Sequence, residues 1–285
     1  MLKAYLELLK LRQTALLVWT TFAAYISVAG NEFDSRVLGL ITLSIFLTVS
    51  GTTATSMYVD ADIDAIMERT KERPIPSDRV APMKGLVFGL ILFSLGILLA
   101  VFINWLVVLV VFLGFIGDVV VYGLFLKRRT PLSIVFGGIA GGMPTLAGWT
   151  AYTNSIELGG ILLALLVMAW IPAHILTLAM FHVEDYQTAQ VPMLPVVVSP
   201  RRTRQIIILS DLILITLALG LYLFEIFGKT YLALTIGPTL LFLFGSIRML
   251  VRFSKARYWT LFKVSGPYLL ILYLAMIIDV MTPIL

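Results

Sequence analysis

The sequence predicts an all-α polytopic membrane protein, nine transmembrane helices gathered in one bundle. Three observations carry that prediction. Hydrophobic residues make up 60% of the 285 and charged residues only 13%, about half of the ~25% that a soluble surface requires. Several apolar runs reach the ~20 residues that cross a hydrocarbon core. The basic residues, sorted by the loops between those runs, fall almost wholly on one side.

The elements follow in order from apolar runs between polar breaks. The opening "MLKAYLELLKLRQT" is charged and amphipathic and reads as an interfacial helix, with no signal-cleavage site after it. Spans are then expected at 13–30, 37–57, 83–103, 105–126, 133–153, 158–181, 205–225, 230–251 and 264–284. Only "INW" separates the third from the fourth, a tight turn. Lys3, Lys10 and Arg12 precede the first span, and Arg69, Lys71, Arg73, Arg79 and Lys84 follow the second. Lys127, Arg128 and Arg129 follow the fourth, and Arg201, Arg202 and Arg204 the sixth. Arg248, Arg252, Lys255, Arg257 and Lys263 follow the eighth. Of the 21 Lys and Arg, Arg36 and Lys229 alone remain for the other side. One misplaced span would scramble this asymmetry, which assigns the basic face to the cytoplasm. The net charge of +5 therefore serves orientation and lipid headgroups, not nucleic acid. A single domain over 1–285 is expected. Its two longest polar loops, 58–82 and 182–204, hint at two four-helix halves, about 13–126 and 133–251, with a ninth helix added.

The absence of cysteine excludes disulfides, thiolate zinc, iron–sulfur clusters and a Cys nucleophile, and two histidines cannot build a polyhistidine metal site. Chemistry concentrates instead in "TSMYVDADIDAIMERTKERPIP" at 55–76. Asp60 and Asp64, four apart, share a face if the second span continues helically. Like charges so placed repel, and a divalent cation removes that penalty. Hard carboxylate oxygens suit Mg²⁺ shared with substrate phosphates. Asp62 points to another face. Arg69 and Arg73 repeat the spacing and suit phosphate oxygens. The competing reading is a solvated loop of internal ion pairs. Glu184 and Asp185, just past the sixth span, form a second acidic cluster on the same face, so a Mg²⁺–diphosphate between the two clusters is expected. Pro192 and Pro195 keep the following segment from continuing as a helix.

Asp118, inside the fourth span, is a functional candidate or the partner of another buried polar group. His174, after Pro172, is placed to approach a substrate, to bind heme iron axially, or to bond a carbonyl of a broken helix. Tyr122 either reaches a phosphate or packs in the core. The glycine-rich "GGIAGGMPTLAGW" at 137–149 lacks the G-K-[ST] ending of a phosphate loop. It permits close helix packing or leaves room for a bulky flat ligand.

Together these fragments resemble the UbiA-type intramembrane prenyltransferases, and within them the protoheme IX farnesyltransferase (heme O synthase) branch. "MYVDADIDAIMERTKERPIP" is similar to the family's M-x-x-D-x-D-I-D-x-x-M-x-R-T-x-x-R-P. "LKRRTPLSIVFGGIAGGMPTLAGWTA" at 126–151 and "WIPAHILTLAMFHVEDYQTAQVPMLPVV" at 170–197 resemble its later segments and favour the heme branch. Ser56 stands where the superfamily carries an asparagine before its first metal aspartate, and no D-x-x-x-D surrounds Asp185. The resemblance implies a UbiA-type bundle and transfer of an isoprenyl group, farnesyl or geranylgeranyl, from its diphosphate to a vinyl group of heme b. It implies Mg²⁺ on Asp60, Asp64, Asp185 and Ser56, with Glu184 beside them in catalysis. Arg12, Arg69, Arg73, Tyr122, Lys127 and Arg128 would hold the diphosphate, and Asp118, His174 and Tyr186 the acceptor. It also implies partners in terminal-oxidase heme synthesis and a prokaryotic cell membrane. Rival acceptors are a quinone precursor, a chlorophyllide or a glycerol lipid. A transporter would carry its charge near the bilayer midplane. Here it clusters at the cytoplasmic edge, as an enzyme for an amphiphile requires.

Overall fold

Apolar stretches broken by Gly, Pro and capping residues fold into helices throughout. The computed structural model describes residues 1–251 and 254–282. Arg252 of the basic census and positions 283–284 of the last expected span lie outside the described residues. After a short helix at Leu2–Leu8, the long helices are α1 (Leu11–Ala29), α2 (Ser35–Val59), α3 (Pro82–Val101), α4 (Trp105–Phe115, continuing as a π-coil over Ile116–Leu126) and α5 (Ser133–Thr153). They continue with α6 (Leu158–Phe181), α7 (Pro200–Leu223), α8 (Lys229–Val251) and α9 (Lys255–Met281). Consecutive helices pack in chain order, and α9 returns against α1, closing the bundle.

Among the described residues seven helices are long and apolar enough to cross a membrane: α2, α3, α4 with its π-coil, α6, α7, α8 and α9. The expectation of nine spans is thus met by apolarity at seven. α1 and α5 occupy expected positions but carry Thr, Ser and Gly in place of aliphatic bulk, and they pack against each other inside the bundle. The faces they bury against each other need no aliphatic bulk, while Val135, Phe136 and Ile139 near the start of α5 are exposed. Among the seven, Leu90, Ile91, Leu95 and Leu98 of α3 are exposed, as lipid contact requires and water would not favour.

Local chemistry sets the boundaries. Asn104 separates α3 from α4: its Oδ1 accepts from Val107 N at 2.9 Å, while Nδ2 donates to the Thr150 carbonyl on α5 at 2.9 Å. Asn104→Ala is expected to cost about 1–2 kcal/mol, read as a lower midpoint in detergent thermal unfolding. Ser199 caps α7 ahead of Pro200, starting it five residues before the expected 205. Ser254 caps α9, which begins at Lys255 where the sequence reading placed 264. The amphipathic first turns of these two helices hid their starts. Pro195 sits in the first turn of a four-residue helix, Leu194–Val197, where no amide donor is needed. The expected break lies around Pro192, and the chain leaves the helix again at Val198 and Ser199.

The glycine-rich stretch of α5 serves close packing. A Cβ on Gly148 would lie 2.2 Å from the Thr21 carbonyl oxygen, and one on Gly142 2.8 Å from that of Ala164. Gly137 and Gly141 also line the cavity described next.

Candidate active site

α2 ends at Val59, and Asp60 (φ −94°, ψ 3°) joins it to a short helix, Ala61–Ile66. Asp64 N still donates to Asp60 O at 2.8 Å, so the four-residue register survives the break. Both aspartates line a cavity of about 530 Å³, within the ~300–1,000 Å³ range of ligand sites. Five cations share its lining, Lys10, Arg12, Arg69, Arg73 and Lys127, against three carboxylates, Asp60, Asp64 and Asp118. This surplus of positive charge suits a polyanion. Beyond it the wall turns apolar and aromatic, through Phe115, Tyr122, Ile134 and Met143 to Trp170, His174 and Phe262.

The acids and bases hold one another. Lys127 Nζ donates to Asp60 Oδ2 at 2.6 Å, with both side chains nearly buried. Arg73 Nη1 donates to Asp64 Oδ2 at 2.6 Å, and Thr70 Oγ1 donates to the Asp64 carbonyl at 3.0 Å. Breaking such a buried pair by removing one partner costs about 3–5 kcal/mol, because it strands the other charge. Ser56 Oγ donates to Asp118 Oδ2 at 2.7 Å, which makes Asp118 the partner of a buried hydroxyl on α2. Lys127 Nζ lies 5.9 Å from the centroid of the Tyr122 ring.

The π-coil explains how α4 supplies three of these groups. Lys127 N donates to Tyr122 O at 2.8 Å, a five-residue step. With ~4.4 residues per turn in such a coil, Asp118, Tyr122 and Lys127 fall on one face. At ~3.6 residues per turn, the nine residues from Asp118 to Lys127 would put them on opposite faces.

The expected metal set is gathered in part: Asp60, Asp64 and Ser56 line the cavity, and Asp185 does not. Among the described residues no group of three or more His, Asp or Glu converges as a ready cage. Asp185 is outside the cavity lining, its Oδ2 accepting from the Arg69 amide at 3.3 Å. Ser56 is engaged with Asp118. Glu184 is exposed and paired with Lys255 at 2.5 Å. Arg128 forks onto Asp62, two contacts of 2.6 Å, away from the cavity, and this guanidinium holds the Asp62 carboxyl below its usual range. Reach explains these outcomes: Glu184 and Arg128 lie where their loops meet solvent. The donors that remain do fit a divalent cation. Asp60 Oδ1 is buried with no hydrogen-bond partner, and Asp60 and Asp64 offer hard oxygens beside a polyanion site. Mg²⁺ is commonly held by one or two carboxylates plus substrate phosphates, so no third protein ligand is demanded.

Lys10 is a cation of the site that the sequence does not mark as a diphosphate ligand. It precedes α1 in the left-handed region (φ +44°), uncommon for a residue with a Cβ and a pointer to function. Burial, with a smaller push from Arg73, brings its ammonium down to about 8, against the pull of Asp60, Asp118 and Asp64. A bound diphosphate favours the protonated form, so affinity is full below pH 8 and falls toward tenfold per unit above it. Titration calorimetry with inorganic diphosphate between pH 7 and 9 checks this, and Lys10→Arg should remove the inflection.

Among the described residues the His174 ring bonds neither a helix carbonyl nor a carboxylate. Its Nδ1 lies 2.6 Å from Ser265 Oγ on α9. Tyr186 is buried and reaches the same cavity. Trp170, Phe262 and Ser265 were not singled out in the sequence. The four-residue step from Trp170 to His174 was the available signal, while α9 offered none.

The UbiA prenyltransferase family model matches residues 17–274. The protoheme IX farnesyltransferase of Korarchaeum cryptofilum is 43% identical over 272 residues, 95% of this chain and 92% of that one. The protoheme IX farnesyltransferase of Archaeoglobus fulgidus is 37% identical over 98% of each. Among solved structures, that of a digeranylgeranylglyceryl phosphate synthase superposes with a TM-score of 0.80 at 21% identity, covering 98% of both chains.

Proposed function

The chain belongs to the UbiA prenyltransferase family, and on that premise we propose that it transfers a farnesyl group from its diphosphate to a vinyl carbon of heme b. The product is heme O-type, a hydroxyethyl-farnesyl porphyrin. One observation carries the reading: a single cavity is lined by five cations together with a long aromatic and apolar wall. It lies in a chain similar along nearly all its length to protoheme IX farnesyltransferases.

Lys10, Arg12, Arg69, Arg73 and Lys127 receive the diphosphate. Lys127 and Arg73, which pair with Asp60 and Asp64, can turn from carboxylate to phosphate oxygen. That exchange frees the two carboxylates to hold Mg²⁺, with Asp185 fixing the Arg69 backbone beside them. When bound, the metal supplies Lewis-acid stabilisation of the leaving oxygens. The farnesyl C1–O bond breaks with its electron pair going to diphosphate, where the five cations meet the developing charge. The allylic cation is sheltered by Tyr122, Phe115 and the apolar wall, which exclude water. The vinyl π electrons of heme b form the new C–C bond. Water adds to the resulting porphyrin-side cation and releases one proton.

We place this chemistry at the cytoplasmic edge of a prokaryotic cell membrane. The basic loops then face the cytoplasm, the prenyl tail enters from lipid, and the charged head stays at the loops. We read α1 and α5 as crossing with the other seven helices, in one domain.

The test is incubation of the purified protein with Mg²⁺, heme b and farnesyl or geranylgeranyl diphosphate, with products identified by mass spectrometry. Farnesylated heme supports the reading. Prenylation of a quinone precursor, a chlorophyllide or a glycerol lipid, with heme untouched, overturns it.

A further inference from the structure

Ser265 settles how His174 is able to act. A serine hydroxyl has one proton, and Ser265 Oγ donates it to the Phe262 carbonyl at 2.8 Å. Toward His174, 2.6 Å away, Ser265 Oγ is therefore left to accept. Nδ1 must carry the proton of a neutral imidazole, and Nε2 is left with the lone pair. The ring also has no freedom to turn. Trp170 stacks on it at 4.2 Å and 21°, Phe262 at 4.3 Å and 27°. Two rings that close cannot share a face, so they cover both. Trp170 is pinned in turn, its Nε1 donating to the Ser265 carbonyl at 2.9 Å. Among the described residues Nε2 makes no hydrogen bond, while His174 lines the same cavity as the five cations.

A rigid neutral imidazole, faces covered and Nδ1 occupied, has only its Nε2 edge to offer. We propose that Nε2 of His174 is the axial ligand to the iron of the acceptor heme, and that Ser265 is the positioning residue that holds the ligating tautomer. This inference rests on the reading of the chain as a heme prenyltransferase. Imidazole is a common axial ligand of heme iron, and an acceptor behind the other ring nitrogen orients such ligands and raises their basicity. The acceptor here is a hydroxyl, without the carboxylate that would stabilise an imidazolium. The arrangement therefore suits ligation better than proton abstraction.

The experiment uses the full-length protein in detergent with ferrous heme b and no isoprenyl diphosphate, followed by resonance Raman spectroscopy and heme titration. Wild type is expected to show an iron–histidine stretching band. His174→Ala should lose the band and bind heme at least tenfold more weakly, and added imidazole should restore the band. Ser265→Ala should keep the band but shift it to lower frequency, because Nδ1–H loses its acceptor. Ser265→Thr should bring it back. The thermal unfolding midpoint in detergent serves as the folding control for each variant. A wild-type band and affinity in His174→Ala, or an unmoved band in Ser265→Ala, overturns the inference. If wild type prenylates heme while His174→Ala keeps the band, the ligand assignment fails alone. If wild type neither binds nor prenylates heme, the functional reading fails with it.

Discussion

Asp60→Asn is expected to lower farnesyl transfer about a thousandfold at saturating substrate, the rate equivalent of ~4 kcal/mol of lost electrostatic stabilisation. The carboxylate has two tasks that an amide cannot share. Its Oδ2 holds Lys127 at 2.6 Å, and its Oδ1 is buried without a partner, an arrangement that makes sense for an atom waiting on a cation. An amide nitrogen at either position donates where an acceptor is needed. Asp64→Asn should behave alike, since Asp64 is buried and bonded to Arg73. Asp62→Asn is the internal control: it sits between the two in sequence, yet pairs with Arg128 away from the cavity. Its rate should stay within about twofold, because exposed pairs contribute ~0–1 kcal/mol. The measurement is single-turnover transfer at fixed Mg²⁺. An Asp60→Asn enzyme within tenfold of wild type would remove the metal from the proposed mechanism.

Gly51→Val is expected to be the most disruptive change far from the chemistry. A Cβ at Gly51 would lie 2.5 Å from Gly89 O, 2.5 Å from Phe93 N and 2.9 Å from Phe93 Cα, all backbone atoms of α3. No side chain can rotate out of the way. α2 and α3 touch backbone to backbone along this line, and Ser44 Oγ donates to the Gly96 carbonyl at 2.8 Å further along it. Small residues permit that approach, and van der Waals contact and hydrogen bonds hold it, since lipid gives no hydrophobic drive between helices. Separating the pair should cost about 3 kcal/mol or more and lower the thermal midpoint in detergent by on the order of 10 °C. Gly39→Ala makes the comparison, because a Cβ there meets nothing within 4 Å. Equal midpoints for the two variants would sink the argument. The same change bears on the site, since α2 carries Ser56 and leads directly into Asp60.

Much of this was legible in the chain itself, because the signals are local. Apolar length marked the helices, with α2 through α6 placed within about two residues. Proline and small polar caps blurred the starts of α7 and α9, where Ser199 and Ser254 cap turns too polar to read as membrane. The four-residue spacing of Asp60 and Asp64 survived a helix break, so both aspartates reached the cavity. Arg69, Arg73, Arg12 and Lys127 reached it as well. Glu184 and Arg128 had equally good credentials in the sequence and point elsewhere, because a charged loop residue follows whichever partner its loop brings near.

The sequence by itself determined the helical class, the order of the long helices, and the acidic pair at the end of α2. Each is fixed by composition or by spacing within a few residues. Only the tertiary structure decided that Lys10 enters the site in a left-handed conformation, and that Ser56 on α2 meets Asp118 on α4. It also decided that a π-coil, and not an α-helix, carries Asp118 and Lys127 to one face. The meeting of His174 with Ser265, 91 residues apart, belongs to the same class. Those outcomes depend on contacts between distant segments, and on a helical period that no residue pattern in the chain announces.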